Sequence, residues 1–598
     1  MVEFDLNAVL NSQRSDQYDK HLSLLKNQGL YIESIKETVE RASTNLKEGK
    51  RSFIVYGDPQ SGKTEMMISL TAKLLDEGHK IIIILLPDQV TLLNQNLLRF
   101  KEAGLSPSPK NYKDILGGDV EVRDKPLVIF CKKNYQDLEK LIQKLGQDSN
   151  KIIIDDEADY ATPNSKINRN EVSKINKLTG DLISKGSTYI GVTATPARLD
   201  LNNTHKNRTS AWVKFNPHPN YTGQDHFFPL QLDSIKYKIF VLPDDYDSSY
   251  LKTALLNFLI NVAFLNLNPG EKGYSMLIHT SRKKIDHSED KKEVMKIMNV
   301  LSKKDGQDSQ QLWAELFEKA KVRYPGYENP IIKYISDNIE RHDVKVLNSN
   351  RDKTLDSVAT KPIDPFTVII GGDIISRGVT FDRLLSMFFT RDVIHSFGQD
   401  TYIQRARMFG SRKGYLEYFE LFIPERLFSD WHNCFIFHRL SLKSIQYGNG
   451  PPLWVEAGRI RAVSPSSIDK ETVVINNGEL KSGLFDYTED IKKLLSSDKE
   501  NIEKLKDLSS NLGETFPKYI VDFIQDEMFK GDKISLKVGT VMGWGKDTNK
   551  VEILRDKRFI RGSDESHQFL ILFNDSGKAR LFYRPSTKNL RLIINQRK

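Results

Sequence analysis

Cysteine is almost absent from this chain: Cys131 and Cys434 are the only two in 598 residues. Two cysteines cannot build a disulfide framework or a cysteine-based zinc cluster. They suit a reducing compartment, so the expected location is the cytoplasm. Long apolar runs are also lacking. Ile81–Leu86 and Leu255–Leu267 read as too short or too polar for a bilayer, and the opening MVEFDLNAVLNSQRSDQYDK shows no basic-then-apolar leader. No short-period repeat occurs, and no low-complexity tract. Charge of one sign is not dominant either: 88 Lys and Arg against 79 Asp and Glu leave +9, which permits a nucleic-acid partner without requiring one. What remains is a globular chain with 39% hydrophobic and 28% charged residues, long enough for several domains.

Residues 1–50 read as a charged helical lead-in. From Phe53 onward, apolar runs alternate with helix-length segments. FIVY (53–56), IIIILL (81–86), LVIF (127–130), KIIID (151–155) and YIGVTA (189–194) form one set. YSMLIHTS (274–281), VKVLNSN (344–350), FTVIIGG (366–372), LLSMFFTRD (384–392) and LEYFELFIP (416–424) form a second. Such runs predict parallel strands buried on both faces. The fold class expected is α/β, with two tandem domains over 51–240 and 241–440 and a helical insert near 282–329. Residues 441–598 read as a separate α+β module. Within it, GNGPPLW (448–454) and VSPSS (463–467) read as linker, 485–530 as helical, and the chain from Lys533 as strands. Residues 541–598 carry 13 Lys and Arg against 6 Asp and Glu, so most of the excess positive charge lies there.

GDPQSGKT (57–64) follows the strand FIVY and precedes a helix, the context a phosphate-binding loop requires. Backbone N–H groups around Gly57, Gln60, Ser61 and Gly62 would face phosphates, Lys63 would reach the terminal ones, and the Thr64 hydroxyl would meet Mg²⁺. IIIDDEAD (152–159) delivers acids at a strand end, where open α/β sheets bind ligands. Asp156 is the candidate for Mg²⁺ and Glu157 the candidate base for the attacking water; Asp155 has no assigned role. In GVTATPA (191–197), Thr193 and Thr195 are coupling candidates. In the second half, VIIGGDIISRGVTFDRL (368–384) offers Gly378, and DTYIQRARMFGSR (400–412) offers Gln404 for coupling. Arg407 ranks first and Arg412 second as the arginine that neutralises charge on the transferring phosphoryl group, ahead of Arg405.

Taken in order, QSGKT, IIIDDEAD, TATP, NYTGQDHFF (220–228), GGDIISRGVTF and DTYIQRARMFGSR resemble the Z1 domain, a branch of superfamily 2 helicase-like ATPases. CKKN (131–134) is similar to the KKN segment of that family. The resemblance covers about residues 50–430. It implies two RecA-like domains with ATP and Mg²⁺ between them. Two departures stand out: Thr380 occupies a place where many superfamily 2 proteins have Asp, and the arginine segment is one residue short between Gln404 and Arg407.

The resemblance further implies a motor on DNA, with duplex preferred, belonging to a restriction or phage-defence system of the CglI type. A separate nuclease subunit with a phospholipase-D-like domain, and possibly a methyltransferase, would be its partners; no membrane is involved. The nucleic acid is expected near Thr195 and Arg198. The alternative is an ATP-gated scaffold that recruits a nuclease without processive movement. A nuclease in its own right has no residues behind it: HTSRKKIDH (279–287) lacks the lysine of a phospholipase-D site, and WHNCFIFH (431–438) lacks partners for a metal or HNH-type site.

Overall fold

The computed structural model describes residues 16–596, apart from 117–124, 147–149, 184–185, 205–210, 231, 269, 281–283, 304–305, 348–361, 373–380, 394, 449, 517, 526–532, 541–565 and 586–589. The first sheet holds β1 (Ser52–Gly57), β2 (Ile81–Leu86), β3 (Lys110–Asn111), β4 (Leu127–Lys132), β5 (Lys151–Asp156), β6 (Thr188–Thr193) and β7 (Trp212–Phe215). Their order is β3-β4-β2-β5-β6-β1-β7, and every pairing is parallel. Isoleucine runs suit this position because both faces are covered. Ile82, Ile84 and Leu86 face one core with Phe53 and Val55, whereas Ile83 and Leu85 face the other with Ile129 and Leu138. The helices Gln17–Asn27 and Glu33–Lys47 belong to the first of these cores, through Leu22, Leu25, Ile35 and Val39 against Met66 and Leu70.

Chain order continues with β8 (Tyr221–Thr222), β9 (Lys238–Leu242), β10 (Tyr274–His279), β11 (His342–Leu347), β12 (Phe366–Gly371), β13 (Leu384–Phe389), β14 (Phe397–Gly398), β15 (Gly410–Ser411) and β16 (Glu420–Pro424). Six of them make a second parallel sheet, β11-β12-β10-β13-β16-β9. The two tandem RecA-like domains are these two sheets with their helices. Among the described residues one helix, Ser248–Leu265, is long and apolar enough to cross a membrane, a longer stretch than the Leu255–Leu267 run that reads as too short or too polar for one. Its composition has a different cause: Leu255, Phe258, Leu259 and Val262 are buried against Met276, Ile278, Val368 and Ile370 of the second sheet.

The last strands are β17 (Leu453–Ala457), β18 (Ile460–Arg461), β19 (Val473–Asn477), β20 (Leu480–Asp486), β21 (Lys533–Thr540), β22 (Ser566–Phe573), β23 (Lys578–Arg584) and β24 (Leu590–Asn595). They form a four-stranded sheet, β20-β23-β22-β21, and a five-stranded one, β14-β18-β17-β24-β19, that takes in β14 of the second half. Here the linker expectation fails. Leu453, Trp454, Ala462, Val463 and Ser467 are buried, and Trp454, Val463, Ile468 and Ile593 share a core with Ala197, Leu199 and Leu201 of the first half. Glycine and proline near 450 mark a turn into a packed strand, and long-range burial decides the rest.

Candidate nucleotide site

Because the first sheet is parallel, the ends of β1, β5 and β6 lie along one edge, and each carries a motif. The loop after β1 turns through Gln60 at φ 57° and Gly62 at φ 99° before the helix Lys63–Asp76. Gly57 is close-packed: a Cβ there would lie 2.9 Å from the Phe215 carbonyl oxygen of β7. Lys63 Nζ donates to the carbonyl oxygens of Gly57 (3.2 Å) and Asp58 (2.8 Å). Burial lowers the Lys63 pKa, and the Glu157, Asp156 and Asp58 carboxylates oppose that. An ammonium of this kind gains most from a phosphate placed against it.

At the end of β5, Asp156 is buried, and Glu157 sits at φ 48° in the left-handed region. Strain of this sort persists where surroundings over-determine it. Lys133 supplies the determination: its Nζ donates to the carbonyl oxygens of Asp156 (2.9 Å) and Glu157 (2.8 Å) and pairs with Asp155 Oδ1 at 2.9 Å. Asp155 also accepts from Thr162 Oγ1 (2.6 Å) and Tyr189 OH (2.8 Å). Asp155 is thus an internal anchor. Burial first, and then Glu157, pushes the Asp156 carboxyl up to about 7. A divalent cation would relieve that, so the donor set fits Mg²⁺. Thr193 and Thr195 both donate to Asp159, Thr193 to Oδ1 at 2.8 Å and Thr195 to Oδ2 at 3.0 Å. Thr195 is buried, so it presents nothing to a passing strand, and the helix after it lies under the C-terminal sheet.

The second half meets this edge through the helix Gln399–Arg405 and the loop that follows. Gln404 Nε2 donates to Glu157 Oε2 (3.1 Å), Asp159 Oδ2 (3.0 Å) and Thr195 Oγ1 (3.3 Å). Gln60 Nε2 donates to the Arg407 carbonyl oxygen at 3.2 Å. One cleft of about 720 Å³ is lined by Lys63, Thr64, Asp156, Glu157, Gln404 and Arg407. Arg412 is not part of that lining. Its guanidinium donates to the carbonyl oxygens of Phe381 (3.0 Å), Arg407 (3.2 Å) and Phe409 (3.2 Å), to that of Met408, and to Tyr415 OH (2.9 Å). The fork of Arg412 is spent on the backbone of its own half, which corrects its expected place at the phosphates. Arg405 is buried with its guanidinium 5.2 Å from the Tyr402 ring. Gly378 and Thr380 lie outside the described residues.

Residues 250–446 match the Z1 domain, and residues 21–198 match the family described as type III restriction enzyme, res subunit. The chain carries a Z1 domain joined to a superfamily 2 helicase-like ATPase domain. With the phosphate loop in place, it is an ATP-hydrolysing enzyme of the helicase type. No curated protein matches it. Among solved structures, a single-site variant of S. cerevisiae Dbp5 bound to RNA and ADP BeF3 aligns at 14% identity and TM-score 0.38, over 69% of this chain and 87% of that one. The ATP-dependent type ISP restriction-modification enzyme LlaBIII bound to DNA aligns at 14% identity and TM-score 0.37, over 72% of this chain and 31% of that one. Mycobacterium smegmatis helicase Lhr bound to ssDNA and AMP-PNP aligns at 12% identity and TM-score 0.36, over 69% and 48%.

The KKN segment has a structural reading. Lys132 pairs with Asp88 at 2.8 Å, Lys133 with Asp155, and Asn134 caps the helix Tyr135–Leu145 by accepting from Asp137 N at 2.9 Å. The sequence alone assigns no role to Lys133 or Tyr221. The signal that points to Lys133 is the extra acid Asp155, which needs a buried cation. The two histidines of WHNCFIFH sit on the helix Glu425–Tyr447: His438 is buried, and His432 meets the Pro229 carbonyl oxygen at 2.8 Å. Among the described residues no group of three or more His, Cys, Asp or Glu side chains is placed to hold a metal ion.

Proposed function

We propose that the protein is a DNA-dependent ATPase that translocates on duplex DNA for a restriction or phage-defence system and works with a separate nuclease subunit. The observation that carries this reading is a cleft shared by both halves, lined from the first by Lys63, Thr64, Asp156 and Glu157 and from the second by Gln404 and Arg407. Hydrolysis that needs both halves can be coupled to their relative movement. Gly57, Gln60, Ser61 and Gly62 shape the loop whose N–H groups meet the phosphates, and Lys63 answers their terminal charge. Glu157 orients and deprotonates the attacking water. Arg407 meets charge that develops on the γ-phosphoryl oxygens. Thr64 and Asp156 would hold Mg²⁺, which would supply electrostatic neutralisation of the phosphates. The Asp159–Thr193–Thr195–Gln404 network links hydrolysis to the second half. Leu24, Leu25 and Leu98 offer an apolar end to the same cleft for the base.

Glu157→Gln should keep ATP binding and cut turnover by at least about 100-fold. Lys63→Ala should abolish hydrolysis. Arg407→Ala should lower kcat far more than ATP affinity. Normal turnover in Glu157→Gln would remove the base assignment. Duplex DNA should stimulate turnover, with affinity falling as salt rises, and ATP should drive displacement of a triplex-forming strand. Stimulation without displacement would make the protein an ATP-gated scaffold.

A further inference from the structure

The connection between the two sheets, residues 216–237, runs beside the cleft rather than away from it. Two adjacent side chains in it touch both phosphate-facing loops. Tyr221 OH donates to the Pro59 carbonyl oxygen in the phosphate loop at 2.6 Å. Thr222 Oγ1 donates to the Gly410 carbonyl oxygen at 2.8 Å, and β8 pairs antiparallel with β15 through Gly410↔Thr222 and Ser411↔Tyr221. We propose that Tyr221 and Thr222 form a positioning strut that fixes the Arg407 loop against the phosphate loop. This rests on the reading of Arg407 given above.

Four features support the strut. Both residues are buried, Tyr221 at 6% and Thr222 at 0% exposure, so neither bond competes with water. The burial that raises the Tyr221 pKa well above its usual value also keeps the hydroxyl a donor. A Cβ on the next residue, Gly223, would run into the Tyr221 ring, so glycine there leaves room for the ring to reach Pro59. The segment then grips the same loop a second time, where Phe227 stacks on Phe409 with centroids 5.7 Å apart, and it is itself fastened to the helix Glu425–Tyr447 by the Asp225–Arg439 pair at 2.9 Å. Arg407 therefore lies in a loop held at its own carbonyl by Gln60 and at Phe409 and Gly410 by the connector. A residue that touches neither nucleotide nor water can in this way set where the guanidinium stands.

The test is Tyr221→Phe in the full chain, which keeps the ring and removes one donor. ADP affinity, ADP–aluminium fluoride affinity, kcat, KM and melting temperature are measured beside those of Arg407→Ala. The expected result is unchanged ADP affinity and KM and a melting temperature lower by at most a few degrees, with kcat and ADP–aluminium fluoride affinity each down about fivefold, the worth of one buried hydrogen bond. Gly223→Ala should reproduce the direction. Unchanged kcat and unchanged aluminium fluoride affinity would overturn the strut. So would an equal loss for ADP and its aluminium fluoride complex, or a loss that tracks melting temperature. If Arg407→Ala itself binds ADP–aluminium fluoride normally, the reading of Arg407 fails instead.

Discussion

Lys133 carries more of this site than its place outside every nucleotide-contacting motif suggests. Its ammonium is fully enclosed, answers the equally enclosed Asp155, and holds the two carbonyl oxygens of the turn that sets Glu157 at positive φ. Burying an ion pair is not stabilising in itself, but removing one partner strands the other. Lys133→Met should therefore cost about 3–5 kcal/mol, read as a lower denaturation midpoint. The double variant Lys133→Met with Asp155→Asn should recover part of that loss, because no charge is then left unpaired. If the double variant is no more stable than the single one, the pair is not the reason for the loss.

At the scale of elements, the segment from Gln399 to Arg412 divides its labour. The helix Gln399–Arg405 points Gln404 at the first half, and the following loop brings Arg407 to the cleft. Arg412 then closes the loop on itself by donating to the Arg407 and Phe409 carbonyl oxygens. A lysine cannot reproduce a planar five-donor fork. Arg412→Lys should lower stability by about 2 kcal/mol or more and lose turnover in parallel. Arg407→Ala, in contrast, should lose turnover at nearly unchanged melting temperature. If Arg412→Lys melts like the wild type but is inactive, Arg412 acts on the nucleotide after all. This division was only half legible in the sequence. Spacing brought Gln404 and the arginines to one short segment, but which guanidinium reaches the cleft depends on a loop without periodicity. The strands and the phosphate loop were legible because their signals are local: isoleucine runs, a glycine before lysine, acids at a strand end.

At the scale of the whole molecule, the C-terminal strands join the two halves rather than hanging from the second. Trp454 Nε1 donates to Asp200 Oδ2 at 2.7 Å, and Asn595 Nδ2 donates to the Asp200 carbonyl oxygen at 2.6 Å and to Asn203 Oδ1 at 2.8 Å. In the same sheet β14 leads directly into the helix that bears Gln404. Composition hid this, since glycine, proline and serine around 450–467 look the same in a linker and in turns between buried strands. It alters what truncation should do. As an independent docking module, residues beyond Gly448 could be deleted and leave a folded ATPase behind. As built, deletion exposes Ile54, Leu199 and Leu201 on the first half and removes Leu453, Val455 and Leu592 from the second core. A chain ending at Gly448 should therefore melt at least about 10 °C lower or aggregate, several kcal/mol being at stake. Trp454→Phe is the milder case. It keeps most of the packing but leaves the buried Asp200 carboxylate without that donor, and should cost about 1–3 kcal/mol. Calorimetry on both variants checks the argument. A truncated chain that stays monomeric, melts like the full chain and hydrolyses ATP at the same rate would show that the module is dispensable to both halves.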